Sequence, residues 1–228
     1  MWKSLGAAGL AMLTSLGSIA GDLTEIETRW LKGVSPVLAF AKKTMLPLDV
    51  VVQPQPAPGA APLALAFVGG RCKLVLSMRG NAQAQATLDA IAPDLLNATL
   101  ELMAAHELGH CQRYLAGVWH GLPSGFATGA PAEIGPEMRA AYMDMKAARR
   151  EEGYADLVGL AWTWQQHPKQ YARLHAWLVA ERSMDLLPGS HHDTLAWVRL
   201  ANDGSALAHA SIFVGSGALW AAGINASD

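Results

Sequence analysis

Residues 94–115, DLLNATLELMAAHELGHCQRYL, contain the pattern from which the fold can be predicted. Apolar residues recur there mostly at steps of three and four, which predicts a helix. The motif HELGH at 106–110 places two histidines four residues apart, so both imidazoles project from one face of that helix. The run at 102–105 is apolar, which predicts a buried helix, and buried histidines need polar partners. A metal ion shared by His106 and His110 would be such a partner, and we predict that it is zinc.

Glu107 lies between the two histidines and supplies the chemistry of a catalytic metal site. Zinc lowers the pKa of a bound water to about 7, and a neighbouring carboxylate can accept the proton that this water loses. We therefore predict that Glu107 is the general base. The alternative, a surface helix with two unrelated histidines, is disfavoured by the apolar flank. One peptidase subclass extends the motif with glycine and histidine where this chain has Arg113 and Ala116, so that subclass is excluded.

A catalytic zinc takes three protein ligands and leaves one position to water, so a third ligand is needed. Glu152 and Asp156 are one helical turn apart in a later segment and share a face. We predict that Glu152 binds the metal and that Asp156 accepts the free ring N–H of a ligand histidine, which fixes its tautomer. Two alternatives stay open. Glu152 can be a surface acid paired with Arg149 or Lys146, and His120, in a Gly-rich loop, is the second candidate for the third ligand.

These residues resemble the gluzincin peptidases, whose signature is HExxH on one helix and ExxxD on a later helix. The resemblance implies a zincin-like fold in which zinc is held by His106, His110 and Glu152. It also implies that Glu107 is the general base and that Asp156 orients a ligand. The register favours Glu152 over Glu151, because Glu151 would put alanine where the family has aspartate.

After the glutamate helix, the chain is distantly similar to membrane-associated peptidases of the CAAX-prenyl-protease type. Those proteins carry Ser/Thr-His-Pro followed by an arginine; here residues 190–194 read SHHDT, with His192 in place of the proline, and Arg199 follows. The resemblance implies that His191 donates to the carbonyl oxygen as it becomes negative. The alternative is that the two histidines cap a helix at the surface. Tyr154 is a further candidate donor, although an interior tyrosine is more often part of the packing.

The segments before the metal motif predict a small β-sheet. Residues 48–52 are rich in β-branched side chains, and residues 63–68 and 72–78 flank a Gly-Gly-Arg turn at 69–71, which is a hairpin signal. We expect a small antiparallel sheet that precedes the HExxH helix. The strand at 72–78 is predicted to offer an exposed edge to which an extended substrate peptide adds.

The remainder of the chain predicts helices separated by short breaks. A Gly- and Pro-rich loop is expected at 117–136, and helices are expected from about Ala82, at 137–166, at 169–184, from a cap at Ser190 to Leu200, and at 205–223. The last of these is apolar, but His209 within it favours a packed core helix over a membrane span. The predicted fold class is α+β, a mainly helical single domain over residues 21–228.

The N-terminus and the two cysteines bear on where the protein works. Residues 1–20 combine Lys3, an uncharged stretch and Ser-Ile-Ala at 18–20, so we predict a signal peptide and export to a bacterial periplasm or the medium. The alternative is an N-terminal helix that stays in the fold. Cys72 and Cys111 are compatible with one disulfide and equally with two buried free thiols.

Composition removes one class of partner. The formal net charge is −2 and no Lys/Arg cluster is present, so nucleic acid is not an expected partner. We predict a zinc-dependent metalloendopeptidase that acts on a protein or peptide substrate. Contact with a membrane is possible but not favoured. The alternatives are a zinc-bearing, non-catalytic binding or chaperone-like envelope protein and a zinc hydrolase of a non-peptide amide such as a cell-wall bond.

Overall fold

The structure, a computed structural model, describes residues 22–122, 133–184 and 189–227. The predicted signal peptide and part of the predicted loop at 117–136 lie outside the described residues. The described chain divides into two compact units, residues 22–100 and residues 101–227. The fold class is α+β and mainly helical, as predicted.

The first unit begins with helix α1, Glu25–Lys43, which the patterns above do not predict. The helix starts at a capping box: the Thr24 side chain accepts the Glu27 N–H, and the Glu27 carboxylate accepts the Thr24 N–H. The buried indole of Trp30 donates to the Ala84 carbonyl in helix α2, Ala82–Ala90. This hydrogen bond ties α1 to α2 within the first unit.

Three strands form the sheet of this unit: β1 (Leu48–Pro54), β2 (Leu63–Val68) and β3 (Arg71–Arg79). β2 and β3 pair antiparallel across Gly69 and Gly70, which both have positive φ. Glycine adopts this backbone conformation without a steric penalty, so the tight turn requires no strain. The predicted hairpin is therefore confirmed.

The expectation of an antiparallel sheet is wrong for β1, which pairs parallel with β3, so the sheet is mixed with the order β1-β3-β2. The hairpin places β2 on one side of β3, and the connection at 55–62 is long enough to cross the end of β3. β1 therefore takes the other side and runs in the direction of β3. Because β3 is paired on both sides, it has no free edge, and the predicted addition of a substrate strand to it is wrong.

The second unit consists of helices. Helix α3 begins in the first unit and continues into the second, and the elements that follow are α4, α5, α6, a short 3-10 helix and α7. Their bounds are Leu96–Leu115 (α3), Pro136–Gln166 (α4), Tyr171–Ser183 (α5), Leu195–Leu200 (α6), Ser205–Leu207 (3-10) and Ile212–Ser227 (α7). The helix predicted at 205–223 is thus two elements. Within the described residues, no helix has both the length and the apolar character of a membrane span.

The start of α6 also differs from the prediction that Ser190 caps it. Thr194 directly precedes the helix, and its hydroxyl donates to the Asp156 carboxylate instead of capping a backbone N–H. The segment at 189–193 therefore leads to α6 without belonging to it.

Helices α3 and α4 approach closely because small residues face each other. A Cβ added at Gly109 would lie 2.9 Å from the Cα of Ala155, and one added at Gly159 would lie 2.9 Å from the Leu102 carbonyl oxygen. Contacts this short leave no room for a side chain, so both positions require glycine. The close approach sets the distance between the histidines of α3 and the acidic residues of α4.

Candidate metal centre

Three buried side chains on α3 and α4 direct their ligand atoms toward one point. The Nε2 atoms of His106 and His110 lie 3.1 Å apart, and each lies 3.4 Å from an oxygen of Glu152. A tetrahedral ion with bonds of about 2.0–2.1 Å holds neighbouring ligand atoms about 3.3–3.4 Å apart. The two 3.4 Å distances end on different oxygens of Glu152, Oε2 for His106 and Oε1 for His110. One ligand atom from each of the three residues lies within 4.8 Å of the others, so this buried group could hold a metal ion.

Glu152, and not His120, completes the cluster within the part of the chain that the structure describes. Glu152 is 7% exposed, which removes the alternative of a surface acid. Its neighbour Glu151 faces Arg113, whose guanidinium donates to both Glu151 oxygens over 2.9 Å. His120 stacks against Trp119, with the two ring centroids 5.2 Å apart. The register that the ExxxD signature favours therefore agrees with the observed geometry.

Asp156 holds the His106 ring in place. Burial would raise the pKa of this carboxyl, but the Arg182 charge and the hydrogen bond with His106 hold it well below its ordinary value. Asp156 is therefore ionised and can only accept. It accepts His106 Nδ1–H over 2.9 Å, Arg182 through two bonds of 2.8 and 2.6 Å, and the Thr194 hydroxyl over 2.5 Å. With the proton on Nδ1, the lone pair of His106 Nε2 is available to a metal.

The charges of the cluster are coupled. Burial by itself would lower the pKa of His106, but hydrogen bonds with Asp156 and Glu152 outweigh it and raise the pKa to about 9. Burial would raise the pKa of Glu152, whereas the His110 charge and the hydrogen bonds with both histidines hold it well below its ordinary value. The raised pKa of His106 and the lowered pKa of Glu152 both favour a positive charge between the imidazole and the carboxylate.

Glu107 is 1% exposed, and neither of its carboxylate oxygens has a hydrogen-bond partner among the described residues. Burial raises the pKa of this carboxyl, and the nearby charges of His106 and His110 counteract that rise. A buried carboxylate without a partner is costly, and such groups are found where a water or ligand completes the site. Glu107 therefore has the environment expected of a proton acceptor.

The histidine that the structure brings to the cluster from the segment before α6 is His192. Its Nε2 lies 3.9 Å from Glu152 Oε2, and burial lowers its pKa to about 4. His191 packs against it with ring centroids 4.1 Å apart. Arg199, the arginine singled out by the resemblance, is exposed, whereas Arg182 lies 4.0 Å from Glu152 Oε2. The adjacent histidines at 191 and 192 are the sequence feature that indicated this segment, whereas no sequence pattern indicated Arg182.

Tyr154 lies in a packing environment: its hydroxyl donates to the Phe213 carbonyl over 3.4 Å, and its ring lies edge-on to Trp220. Cys72 and Cys111 are both buried and disulfide-bonded, not free.

The chain matches no protein-family model, no curated protein and no solved structure.

Proposed function

We propose that this protein is a zinc-dependent metallopeptidase of the zincin-like type. The observation that carries the proposal is the buried group of His106, His110 and Glu152 together with the carboxylate of Glu107, which has no hydrogen-bond partner in the described part of the chain. Two imidazoles and one carboxylate are a ligand set of catalytic zinc, and three protein ligands leave a fourth position for water. A structural zinc site would be closed by a fourth side chain and would have no use for Glu107.

When bound, zinc would lower the pKa of a water to about 7 and polarise the substrate carbonyl. Glu107 would accept the proton of that water and pass it to the leaving amine, which is general acid–base catalysis by one carboxyl group. Burial raises the pKa of Glu107, and a carboxyl with a raised pKa is a stronger base for the proton of the water.

The surrounding side chains position the reacting groups. Asp156 fixes the tautomer of His106, and Arg182 and Thr194 keep Asp156 ionised and immobile. His192 is the neighbouring ring best placed to donate to a developing oxyanion, since its Nε2 already faces the ligand carboxylate over 3.9 Å. Donation by His191 stays a prediction.

The decisive experiment compares wild type with Glu107→Gln, which keeps the size of the side chain and removes its basicity. Both proteins are loaded with zinc, their metal content is measured, and they are incubated with unfolded protein and with cell-wall fragments. A matched control is Glu101→Gln, which alters another buried glutamate of α3 whose carboxylate accepts from Trp162 and His167.

We expect wild type and Glu101→Gln to cleave unfolded protein. Glu107→Gln should retain zinc and lose about 10²–10⁴-fold in rate. Cleavage of cell-wall fragments alone would identify a hydrolase of a non-peptide amide. Absence of activity in zinc-loaded wild type on every substrate would favour a binding protein and contradict the proposal.

A further inference from the structure

The two histidines of the metal centre are oriented in different ways. His106 is fixed by the hydrogen bond from its Nδ1 to Asp156. Nδ1 of His110 is buried and has no hydrogen-bond partner among the described residues. The His110 ring instead makes two edge-to-face contacts, with His106 at a centroid distance of 4.7 Å and with Trp119 at 5.6 Å. The hydrogen bonds of His110 are therefore confined to Nε2, and among the described residues no hydrogen bond at Nδ1 fixes the rotation of the ring.

Trp119 is itself stacked with two further rings. Tyr114 covers one side with a centroid distance of 4.0 Å and an interplanar angle of 10°, and His120 stacks on it at 5.2 Å. Tyr114 lies one turn after His110 on the same face of α3, so the stack continues the metal-binding face of the helix. A tryptophan packed in this way has little freedom to rotate.

The turn that carries Trp119 is fixed to the two metal-binding helices. α3 ends in a Schellman motif: Gly117 has φ +66°, its N–H donates to the Tyr114 carbonyl, and the Val118 N–H donates to the Arg113 carbonyl. The Arg113 side chain then donates to the Gly121 carbonyl over 2.5 Å. These bonds return the chain directly over the end of the helix.

Glu151, next to the ligand Glu152, completes the attachment. It accepts the Arg113 guanidinium and also the backbone N–H of His120 over 2.8 Å. His120 is held at φ +61°, an unfavourable backbone conformation for a residue other than glycine. Backbone strain of this kind persists only where the surroundings fix it, and here the Glu151 hydrogen bond and the ring stack do so.

We propose that Trp119 is a positioning residue for the metal centre. Its indole, stacked with Tyr114 and His120, holds the His110 imidazole so that Nε2 points at His106 and Glu152. The aromatic contact takes the place of the hydrogen bond that orients His106. This inference rests on the proposed function only in so far as the centre binds a metal; it requires no particular substrate.

The test measures metal binding by the full chain carrying Trp119→Ala, Trp119→Leu or Trp119→Phe. Zn²⁺ affinity is obtained by competition with a chromophoric chelator, and the ligand field is read from the visible spectrum of the Co²⁺-loaded protein. The matched control is Trp164→Ala, because Trp164 is also a partly buried tryptophan in an edge-to-face contact, with Tyr171 at 5.3 Å.

We expect Trp119→Ala and Trp119→Leu to weaken Zn²⁺ binding about tenfold and to alter the Co²⁺ bands. Trp119→Phe, which restores a ring, should recover most of the affinity, and Trp164→Ala should leave both readouts unchanged. If Trp119→Ala does not fold, the zinc affinities of Trp119→Leu and Trp119→Phe still test the role of Trp119.

Equal Zn²⁺ affinity and identical Co²⁺ spectra for Trp119→Leu, Trp119→Phe and wild type would overturn the role of Trp119. That result leaves the metal centre intact. Failure of wild type itself to bind Zn²⁺ or Co²⁺ would instead overturn the proposed function together with the inference.

Discussion

His106 donates its Nδ1–H to Asp156 Oδ1 over 2.9 Å, and this bond decides which ring nitrogen is free to bind a metal. Asp156→Asn should weaken Zn²⁺ binding about 10–100-fold, because the amide no longer offers two anionic oxygens to His106, Arg182 and Thr194. Chelator competition gives the affinity. Asp203→Asn is the control, since Asp203 is exposed and its carboxylate accepts the backbone N–H and the hydroxyl of Ser205, remote in sequence from the cluster. Equal affinities for the two variants would contradict the role of Asp156.

The third ligand can be tested by metal stoichiometry. Glu152→Gln should empty the site at a Zn²⁺ concentration that saturates wild type, because a carboxylate is replaced by a weakly binding amide. His120→Asn is the control, since asparagine tolerates the positive φ of that position. We expect this variant to bind one zinc per chain. Loss of zinc from His120→Asn, with zinc retained in Glu152→Gln, would show that the ligand assignment is wrong.

Zinc affinity should depend on pH in a defined direction. The pKa of His106 is raised to about 9, so the metal-free protein keeps a proton there at neutral pH, and zinc must displace it. Affinity should therefore rise about tenfold per pH unit up to about pH 9 and level off above it. In Asp156→Asn the rise should end at a lower pH, because one of the groups that raise the pKa of His106 is gone. After correction for the chelator, an affinity independent of pH between 7 and 9 would exclude the displaced proton.

The contact between α3 and α4 can be tested at Gly109. A methyl group there would meet the Cα of Ala155 at 2.9 Å, so Gly109→Ala should lower the free energy of unfolding by about 1–3 kcal/mol and weaken Zn²⁺ binding. The matched control is Gly217→Ala in α7, where an added Cβ meets no atom within 4 Å. That variant should be more stable by about 0.5–1 kcal/mol, because alanine favours helix. Urea unfolding measures the free energy of unfolding of both variants. A Gly109→Ala variant as stable as wild type, with full zinc affinity, would refute the close contact.

What the sequence predicts well is encoded over short distances. The spacing of His106 and His110 fixes their common face, and the turn at Gly69 and Gly70 fixes a hairpin. Glu152 can be predicted as the third ligand because it is the glutamate that has an aspartate four residues later, as the ExxxD signature requires. Helix α1 also has a local signal, the capping box at Thr24, and could have been predicted from it.

The remaining features depend on contacts between distant segments, which no local pattern encodes. The parallel pairing of β1 with β3 follows from which side of the hairpin is left free. Arg182 enters the centre because α5 places it beside Asp156, twenty-six positions earlier in the chain. The approach of His192 to Glu152 depends on how the segment before Thr194 turns, and the sequence motif alone does not encode that turn.

The proposed metal site is open: two imidazoles and one carboxylate bind the ion and leave one position for water. X-ray absorption at the zinc edge of the zinc-loaded full chain reports this ligand set. We predict one zinc per chain with two imidazole nitrogens, carboxylate oxygen and a water-derived oxygen at about 2.0–2.1 Å. A site closed by a third imidazole such as that of His192, or a chain that retains no zinc, would rule out this open site.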